Sequence, residues 1–159
     1  MSAARPRQNR PMAKTRHRSE LGGSADDVQA AFYEALQHGD AEALMACWAD
    51  DEEVFCVHPG GPRLVGTEAI RAAFEQMFAN GAIHATPARV RKVEALGSSV
   101  HNVLERIEVL TAEGPKLAFV LATNVYHKTA QGWRMVAHHA SPGTVQEPAD
   151  SHDAPQVLH

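Results

Sequence analysis

No apolar run in this sequence approaches the roughly 18 residues that a membrane-spanning helix requires. The N-terminal segment has no apolar stretch of its own, which argues against a secretory signal. Cysteine is scarce as well: Cys47 and Cys56 are the only two, and both lie in apolar segments. Such cysteines are more typical of a reduced protein core than of a disulfide. These absences predict a cytoplasmic protein with no membrane partner.

Acidic residues are nearly absent from residues 1–20, which contain six Lys or Arg and a single acid, Glu20. The other residues contain nine basic and eighteen acidic side chains, since the whole chain has 15 and 19. A chain whose main part is acidic repels the phosphates of nucleic acid, so no nucleic-acid partner is expected. Residues 1–23 show no hydrophobic periodicity and are expected to form a disordered basic leader, although an Arg-rich, acid-poor leader also resembles an organelle transit peptide.

Three helices are predicted in the first half of the chain. Ser24 is a suitable N-cap for a first helix that Gly39 ends, and Asp40 is placed to cap a second helix over residues 41–48. Thr67 is the predicted N-cap of a third helix. The first and third helices carry apolar residues at the i, i+3, i+4 spacing of one buried face. These residues are Val28, Ala31, Phe32, Ala35 and Leu36, and then Ile70, Ala73, Phe74, Met77 and Phe78.

The second half of the chain has the alternation of β-strands. A short strand over residues 54–58 precedes the third helix and ends at a Pro-Gly-Gly-Pro turn. Four long strands are predicted over residues 83–96, 100–110, 117–128 and 133–141. Both faces of residues 117–128 are largely apolar, which indicates a central strand covered on both sides.

This order of elements predicts an α+β domain. We expect three N-terminal helices to pack on a strongly curved, mainly antiparallel sheet, which together enclose a cone-shaped pocket. The domain is expected to cover residues 24–142, and a flexible C-terminal tail is expected over residues 143–159.

Several short motifs occur in the order typical of a known superfamily. They are His38-Gly39-Asp40, Trp48-Ala49-Asp50-Asp51, His58-Pro59-Gly60-Gly61, Gly66-Thr67-Glu68-Ala69-Ile70, Gly132-Trp133 and His139-Ala140-Ser141. With these motifs the chain resembles the nuclear transport factor 2-like superfamily, and especially its SnoaL-like and ketosteroid-isomerase-like branches. The resemblance implies the cone-shaped fold. It does not imply one activity, because isomerases, polyketide cyclases, dehydratases and association modules share this fold.

The catalytic pattern of the isomerase branch does not carry over to this sequence. In that branch an aspartate before a proline is the base, and a tyrosine and a protonated acid form the oxyanion hole. The base position falls on His58, the tyrosine position on Phe32 and the acid position near Thr123. Tyr33 lies one residue from the tyrosine position and points about 100° around the helix. The resemblance therefore implies the scaffold, and not steroid isomerisation by that mechanism.

Polar residues at two strand ends are the candidate catalytic residues. Histidine is the side chain best matched to proton transfer near neutral pH, and His58 takes the place of the family's base, with a hydrogen-bonded structural role as its alternative. One of His138 and His139 must face inward. We favour His139 because its position, two residues before Ser141, fits the polar strand end of the family that the chain resembles. We therefore predict His58 and His139 as catalytic residues. The expected pocket lining is Phe32, Trp48, Thr123, Asn124, Tyr126 and Ser141.

Motifs for cofactors and metals are missing. No glycine-rich phosphate loop follows a strand and no nucleophile elbow occurs, which argues against nucleotide cofactors and acyl-enzyme chemistry. The acids at residues 50–53 lack the glycine spacing of a calcium loop. A zinc site of His58, His138 and His139 is disfavoured because adjacent strand residues point to opposite faces. We expect neither a cofactor nor a metal.

Two functions fit this pattern. The first is a cofactor-independent isomerase, cyclase or dehydratase that transfers protons on a small, mostly apolar organic molecule. The second is a non-catalytic association or ligand-binding module of the same fold. Both predict a homodimer through the outer sheet face, because the outward side of residues 117–128 is too apolar to remain exposed.

Overall fold

The first helix follows the prediction at both ends. The computed structural model describes residues 21–144, and within them α1 spans Ala25–His38. The hydroxyl of Ser24 accepts a hydrogen bond from the N–H of Asp27 at 3.1 Å, so it caps an N–H group that has no partner within the helix. Gly39 ends the helix with φ 63°, a left-handed conformation that favours glycine.

The second helix is shorter than predicted because the chain leaves it to pair with a strand. α2 spans Ala41–Ala46, and the side chain of Asp40 caps its first turn as expected. The N–H of Met135 then donates a hydrogen bond to the carbonyl of Cys47 at 2.8 Å. The last two residues predicted as helix therefore lie beside a strand.

The third helix, α3, spans Thr67–Ala79, but Thr67 is not its cap. Gly66 occupies the N-cap position with φ 92°, a conformation open to glycine and rare for other residues. The Thr67 hydroxyl instead accepts a hydrogen bond from the N–H of Asp51 at 3.3 Å and donates toward the Asp51 carbonyl at 3.2 Å. Thr67 thus links the acidic residues 50–53 to the start of α3.

Six strands form one curved, open sheet, which is antiparallel except where β1 pairs with β6. The strands are β1 Phe55–Val57, β2 Arg63–Val65, β3 Ala85–Glu94, β4 Ser98–Thr111, β5 Gly114–Thr129 and β6 Gly132–Pro142. Their order across the sheet is β2-β1-β6-β5-β4-β3. β2 is absent from the prediction because three residues between two turns give no periodic signal. The predicted α+β class, with three helices on a mainly antiparallel sheet, is confirmed.

β5 lies between β6 and β4, as a central strand should. Its inner-face residues Val120, Ala122, Asn124 and Tyr126 are buried. Leu117, on the outer face, is 49% exposed because no element within residues 21–144 covers that side. The strand is central as predicted, but in the described part of a single chain only one of its faces is covered.

Residues just outside both ends of the expected domain, residues 24–142, contact the rest of the fold. Leu21, which falls in the predicted leader, is buried in the core at 5% exposure. The N–H of Gly143, in the predicted tail, donates a hydrogen bond to the carbonyl of Phe119 at 2.8 Å. The rest of the predicted leader and tail, residues 1–20 and 145–159, lies outside the described residues. Among the helices of the described part, none is both long enough and apolar enough to cross a membrane.

Candidate functional site

A cavity of about 80 Å³ lies between α1, α3 and the inner face of the sheet. Thirteen residues line it, and ten of them are apolar. The other three are ionisable: His58, which follows β1, Glu105 on β4 and His138 on β6. Polar groups in an apolar wall cost free energy unless they are hydrogen-bonded, so their partners determine what this site can do.

Glu105 is a buried carboxyl group on the cavity wall, with 5% of its surface exposed. The hydroxyl of Tyr33, on α1, donates a hydrogen bond to its Oε2 at 2.7 Å. Burial raises the pKa of Glu105 to about 7, although the Tyr33 hydrogen bond acts in the opposite direction. Because Oε2 accepts the hydrogen bond of the Tyr33 hydroxyl, a protonated Glu105 carries its own proton on Oε1. Near pH 7 Glu105 can therefore act as either a proton donor or a proton acceptor.

His138 is held in one tautomer by Asn124. Its Nδ1 lies 2.6 Å from Oδ1 of Asn124, an amide oxygen that can only accept, so Nδ1 carries the proton and Nε2 is an acceptor. The Asn124 amide nitrogen donates in turn to the Tyr33 hydroxyl at 3.0 Å. Burial, together with the neighbouring His58 and His139, lowers the pKa of His138 to about 3. His138 is therefore a neutral hydrogen-bond acceptor at physiological pH.

A second layer of hydrogen bonds supports Asn124 from below. Oε1 of Gln29 accepts hydrogen bonds from the Tyr126 hydroxyl at 3.0 Å and from Nδ1 of His101 at 2.8 Å, and it lies 3.4 Å from the amide nitrogen of Asn124. Nε2 of His101 accepts from the hydroxyl of Ser99 at 3.0 Å. Because the donor and the acceptor of each of these hydrogen bonds are determined, this layer holds Asn124 in one orientation below the cavity.

His58 is the half-buried member of the site. Its ring meets the ring of Phe74 edge to face, with centroids 5.0 Å apart, and lies 6.2 Å from the ring of His138. Sγ of Cys56 is 3.7 Å from its Nε2, a weak contact. Burial lowers the pKa of His58, so the neutral imidazole dominates at pH 7 and can accept a proton.

The structure corrects the inward orientation expected for His139. His139 is exposed and lies on the outer face of the sheet, where it lines a groove of about 510 Å³ together with Thr123 and Ser141. His138 occupies the inward position, and 5% of its surface is exposed. Thr123 and Ser141, both expected in the pocket lining, therefore face away from the cavity.

A β-bulge explains this reversal. Tyr126 of β5 pairs with Met135 of β6, but Val125 pairs with Ala137, so Val136 is an extra residue on β6. One extra residue moves each side chain that follows it in the strand to the opposite face of the sheet. Strict alternation from Met135 would place His139 inside, and the bulge places His138 there.

The other expected lining residues are inside the domain, but only one of them lies on the cavity wall. Phe32 lines the cavity. Asn124 and Tyr126 are buried below it, in the hydrogen-bonded layers. Trp48 is buried beside Met135, and its Nε1 is the one buried side-chain N or O atom in residues 21–144 without a hydrogen-bond partner.

The site also contains Glu105, which the sequence reasoning missed, and Tyr33, which it set aside because Phe32 takes the tyrosine position. Glu105 lies between Val103 and Ile107 on an alternating apolar face, and a single carboxyl in such a position is a signal that could have found it. Tyr33 carries no comparable signal, because its partner is 72 positions away in the sequence. The described residues contain no group of three or more His, Cys, Asp or Glu placed to hold a metal ion.

Residues 26–145 match the family described as the SnoaL-like domain. This match covers most of the chain, and the protein therefore belongs to the SnoaL-like family within the nuclear transport factor 2-like superfamily. The resemblance inferred from the sequence motifs is thus confirmed. No match was found among curated proteins.

Two solved structures are similar in both sequence and fold. One is provisionally named a calcium/calmodulin-dependent protein kinase type II association domain from Thiobacillus denitrificans; it is 34% identical, with 77% of this chain and 97% of that chain covered and a TM-score of 0.70. The other is provisionally named a dehydratase of the NTF2-like family from Streptomyces avermitilis; it is 31% identical, with 74% and 92% covered and a TM-score of 0.66. The CaMKII hub of S. rosetta, at 22% identity, 74% and 92% coverage and a TM-score of 0.60, shows the shared fold alone.

Proposed function

We propose that the protein is a cofactor-independent enzyme that transfers protons on a small organic molecule in the cavity, in an isomerisation, a cyclisation or a dehydration. One observation carries this proposal: the carboxyl of Glu105 lies on the wall of a cavity that His58 also lines. Burial raises the pKa of this carboxyl to about 7. Groups whose environments push their pKa values in opposite directions are the usual acid–base pairs of enzymes. The similarity to a provisionally named dehydratase supports the same class of reaction.

In the proposed reaction, His58 takes a proton from a carbon next to a carbonyl group, while protonated Glu105 gives a proton to the carbonyl oxygen. With a hydroxy ketone the product is an enediol. His58 then gives its proton to the former carbonyl carbon while the neighbouring hydroxyl gives its proton to Glu105, which moves the carbonyl group by one carbon and restores both side chains. His58 is a better base than His138, because the pKa of about 3 places His138 far from neutral pH. Tyr33 holds Oε2 of Glu105, which leaves the proton on Oε1 for the substrate.

Proton exchange at carbon tests this function without knowledge of the natural substrate. Small ketones, hydroxy ketones and lactones are incubated with the protein in deuterium oxide, and loss of the C–H signal next to the carbonyl is followed by NMR. We expect at least one compound to exchange faster than in buffer, with a rate that falls above about pH 7 as Glu105 loses its proton. Uniform buffer rates across the panel would contradict the proposal.

Self-association is a second candidate function, and the outer face of the sheet favours it. Leu117 and Phe55 on this face are 49% and 38% exposed. Phe55 lines the outer groove, and so do the apolar residues Leu121, Val125 and Ala137. Leu117 lies on the same face of β5 as Leu121, four residues before it. Apolar surface of this kind marks an interface more often than a free surface. The similarity to a structure provisionally named an association domain points the same way.

A charge placed in this outer face should separate the subunits. We expect the protein to be a homodimer and Leu121→Glu to be a folded monomer, because a carboxylate at the centre of an apolar interface loses water without gaining a partner. Light scattering at micromolar concentration measures the mass. Leu96→Glu is the matched control, since Leu96 lies in the turn between β3 and β4, outside the outer sheet face, and is already 99% exposed. A monomeric wild-type protein would contradict this candidate function.

A further inference from the structure

The size of the cavity limits its ligand. The volume is about 80 Å³. By comparison, an engineered apolar cavity of about 150 Å³ holds one benzene molecule, which has six carbon atoms. In proportion, about three non-hydrogen atoms fit inside without movement of the wall. The half-buried His58 and the exposed Pro59 leave the cavity open to solvent on one side, where a ligand of up to about five such atoms can extend. A multi-ring compound is too large to lie wholly inside this cavity.

The charges around the cavity limit its ligand further. No lysine or arginine is among the described residues that line it. His58 and His138 both have lowered pKa values and are neutral at pH 7, so neither supplies a positive charge. Glu105 can add only a negative charge. A carboxylate or phosphate entering this cavity would lose its water shell and find no cation in exchange, which strongly disfavours anionic ligands.

The hydrogen-bonding groups of the site form a complementary pair. The Tyr33 contact leaves Oε1 of Glu105 as a donor whenever the carboxyl is protonated. The Asn124 contact leaves Nε2 of His138 as an acceptor. A ligand that satisfies both needs an oxygen that accepts a hydrogen bond and a group that donates one, as a carbonyl and a neighbouring hydroxyl do.

We propose that the ligand of this cavity is an uncharged hydroxy-carbonyl compound of about three to five non-hydrogen atoms, bound with its carbonyl oxygen at Glu105 and its hydroxyl group at His138. This inference rests on the proposed function, since it names the substrate class of the same site. It narrows the panel of small ketones, hydroxy ketones and lactones to uncharged hydroxy-carbonyl compounds of one size range.

Hydroxyacetone and glycolate test the charge preference, because they differ only by a methyl group in place of a charged oxygen. Dissociation constants are measured at pH 6 by ligand-observed NMR. We expect hydroxyacetone to bind and glycolate to bind at least about tenfold more weakly. Binding of hydroxyacetone should also weaken between pH 6 and pH 8 in the wild type and not in Glu105→Gln, whose amide keeps a donor at every pH. Equal or tighter binding of glycolate, or no binding of hydroxyacetone, overturns the inference.

Filling the cavity tests where the ligand binds. Ala140→Val and Ala85→Val each add two carbons to the wall, and we expect both to lose hydroxyacetone binding while they remain folded by circular dichroism. Unchanged binding in either folded variant places the ligand elsewhere and overturns the inference. The proposed function fails separately: hydroxyacetone that binds as expected while no compound of the panel exchanges deuterium contradicts the enzyme and leaves the ligand class standing.

Discussion

Glu105→Gln should stabilise the protein at pH 8 while it removes the proposed acid. In the folded protein the pKa of Glu105 is about 7, against an ordinary value of 4.5. As pH rises above 4.5 the unfolded chain loses this proton and the folded chain keeps it, so stability falls until both are ionised above pH 7. The full cost is about 3 kcal/mol. Glutamine resembles the protonated carboxyl, can still accept the Tyr33 hydrogen bond and does not ionise.

The measurement is thermal or urea unfolding of both proteins from pH 4 to pH 8. We expect no difference near pH 4 and a variant more stable by up to about 3 kcal/mol at pH 8. His138 contributes stability that is lost as pH falls below 6.5, but it does so in both proteins and cancels in the comparison. Glu108→Gln, at an exposed position of the same strand, is the matched control and should change little. A variant less stable than the wild type at pH 8 would mean that Glu105 is ionised and paired.

In the exchange assay the same variant should lose activity at pH 6, by a factor of about 10² to 10³, because an amide cannot transfer a proton. The fall of the exchange rate above pH 7 should be absent in this variant. If the wild-type profile has this alkaline decline and the variant keeps it, another group is responsible for it.

His58→Ala should abolish proton exchange while ligand binding largely survives. The imidazole is the proposed base, and removal of a general base typically lowers the rate by about 10² to 10⁴. Exchange rates and dissociation constants for the best compound of the panel separate the two effects. If His58 is instead structural, the variant should lose roughly 1–3 kcal/mol of stability, and exchange should fall no further than the folded fraction does.

Two other histidines serve as controls for His58. His127→Ala removes an exposed imidazole from β5 and should change neither exchange nor stability. His139→Ala tests the residue that the sequence favoured, and exchange that survives this change would locate the chemistry on the inner face of the sheet. A greater loss of exchange in His139→Ala than in His58→Ala would place it on the outer face.

The secondary structure follows closely from local signals. Ser24 and Asp40 cap their helices as predicted because the contact is made within three residues of the cap. Thr67 shows the limit of the same reasoning, because its hydroxyl bonds to Asp51, which is distant in sequence, and a glycine takes the cap position. Local chemistry therefore located the helices and did not determine which partner each side chain takes.

The sequence by itself determined the α+β fold, the three helices and the place of His58 at the end of the first strand, because each depends on periodicity and turn chemistry over a few residues. The family was recognised separately, from the resemblance of its short motifs. Tertiary structure alone decided which face of β6 is inside, since one bulge at Val136 exchanges His138 for His139. It also brought Tyr33 to Glu105 across 72 positions of sequence. A buried carboxyl acquires its raised pKa only from the apolar wall that closes around it, and that wall is assembled from helices and strands that are far apart in the chain.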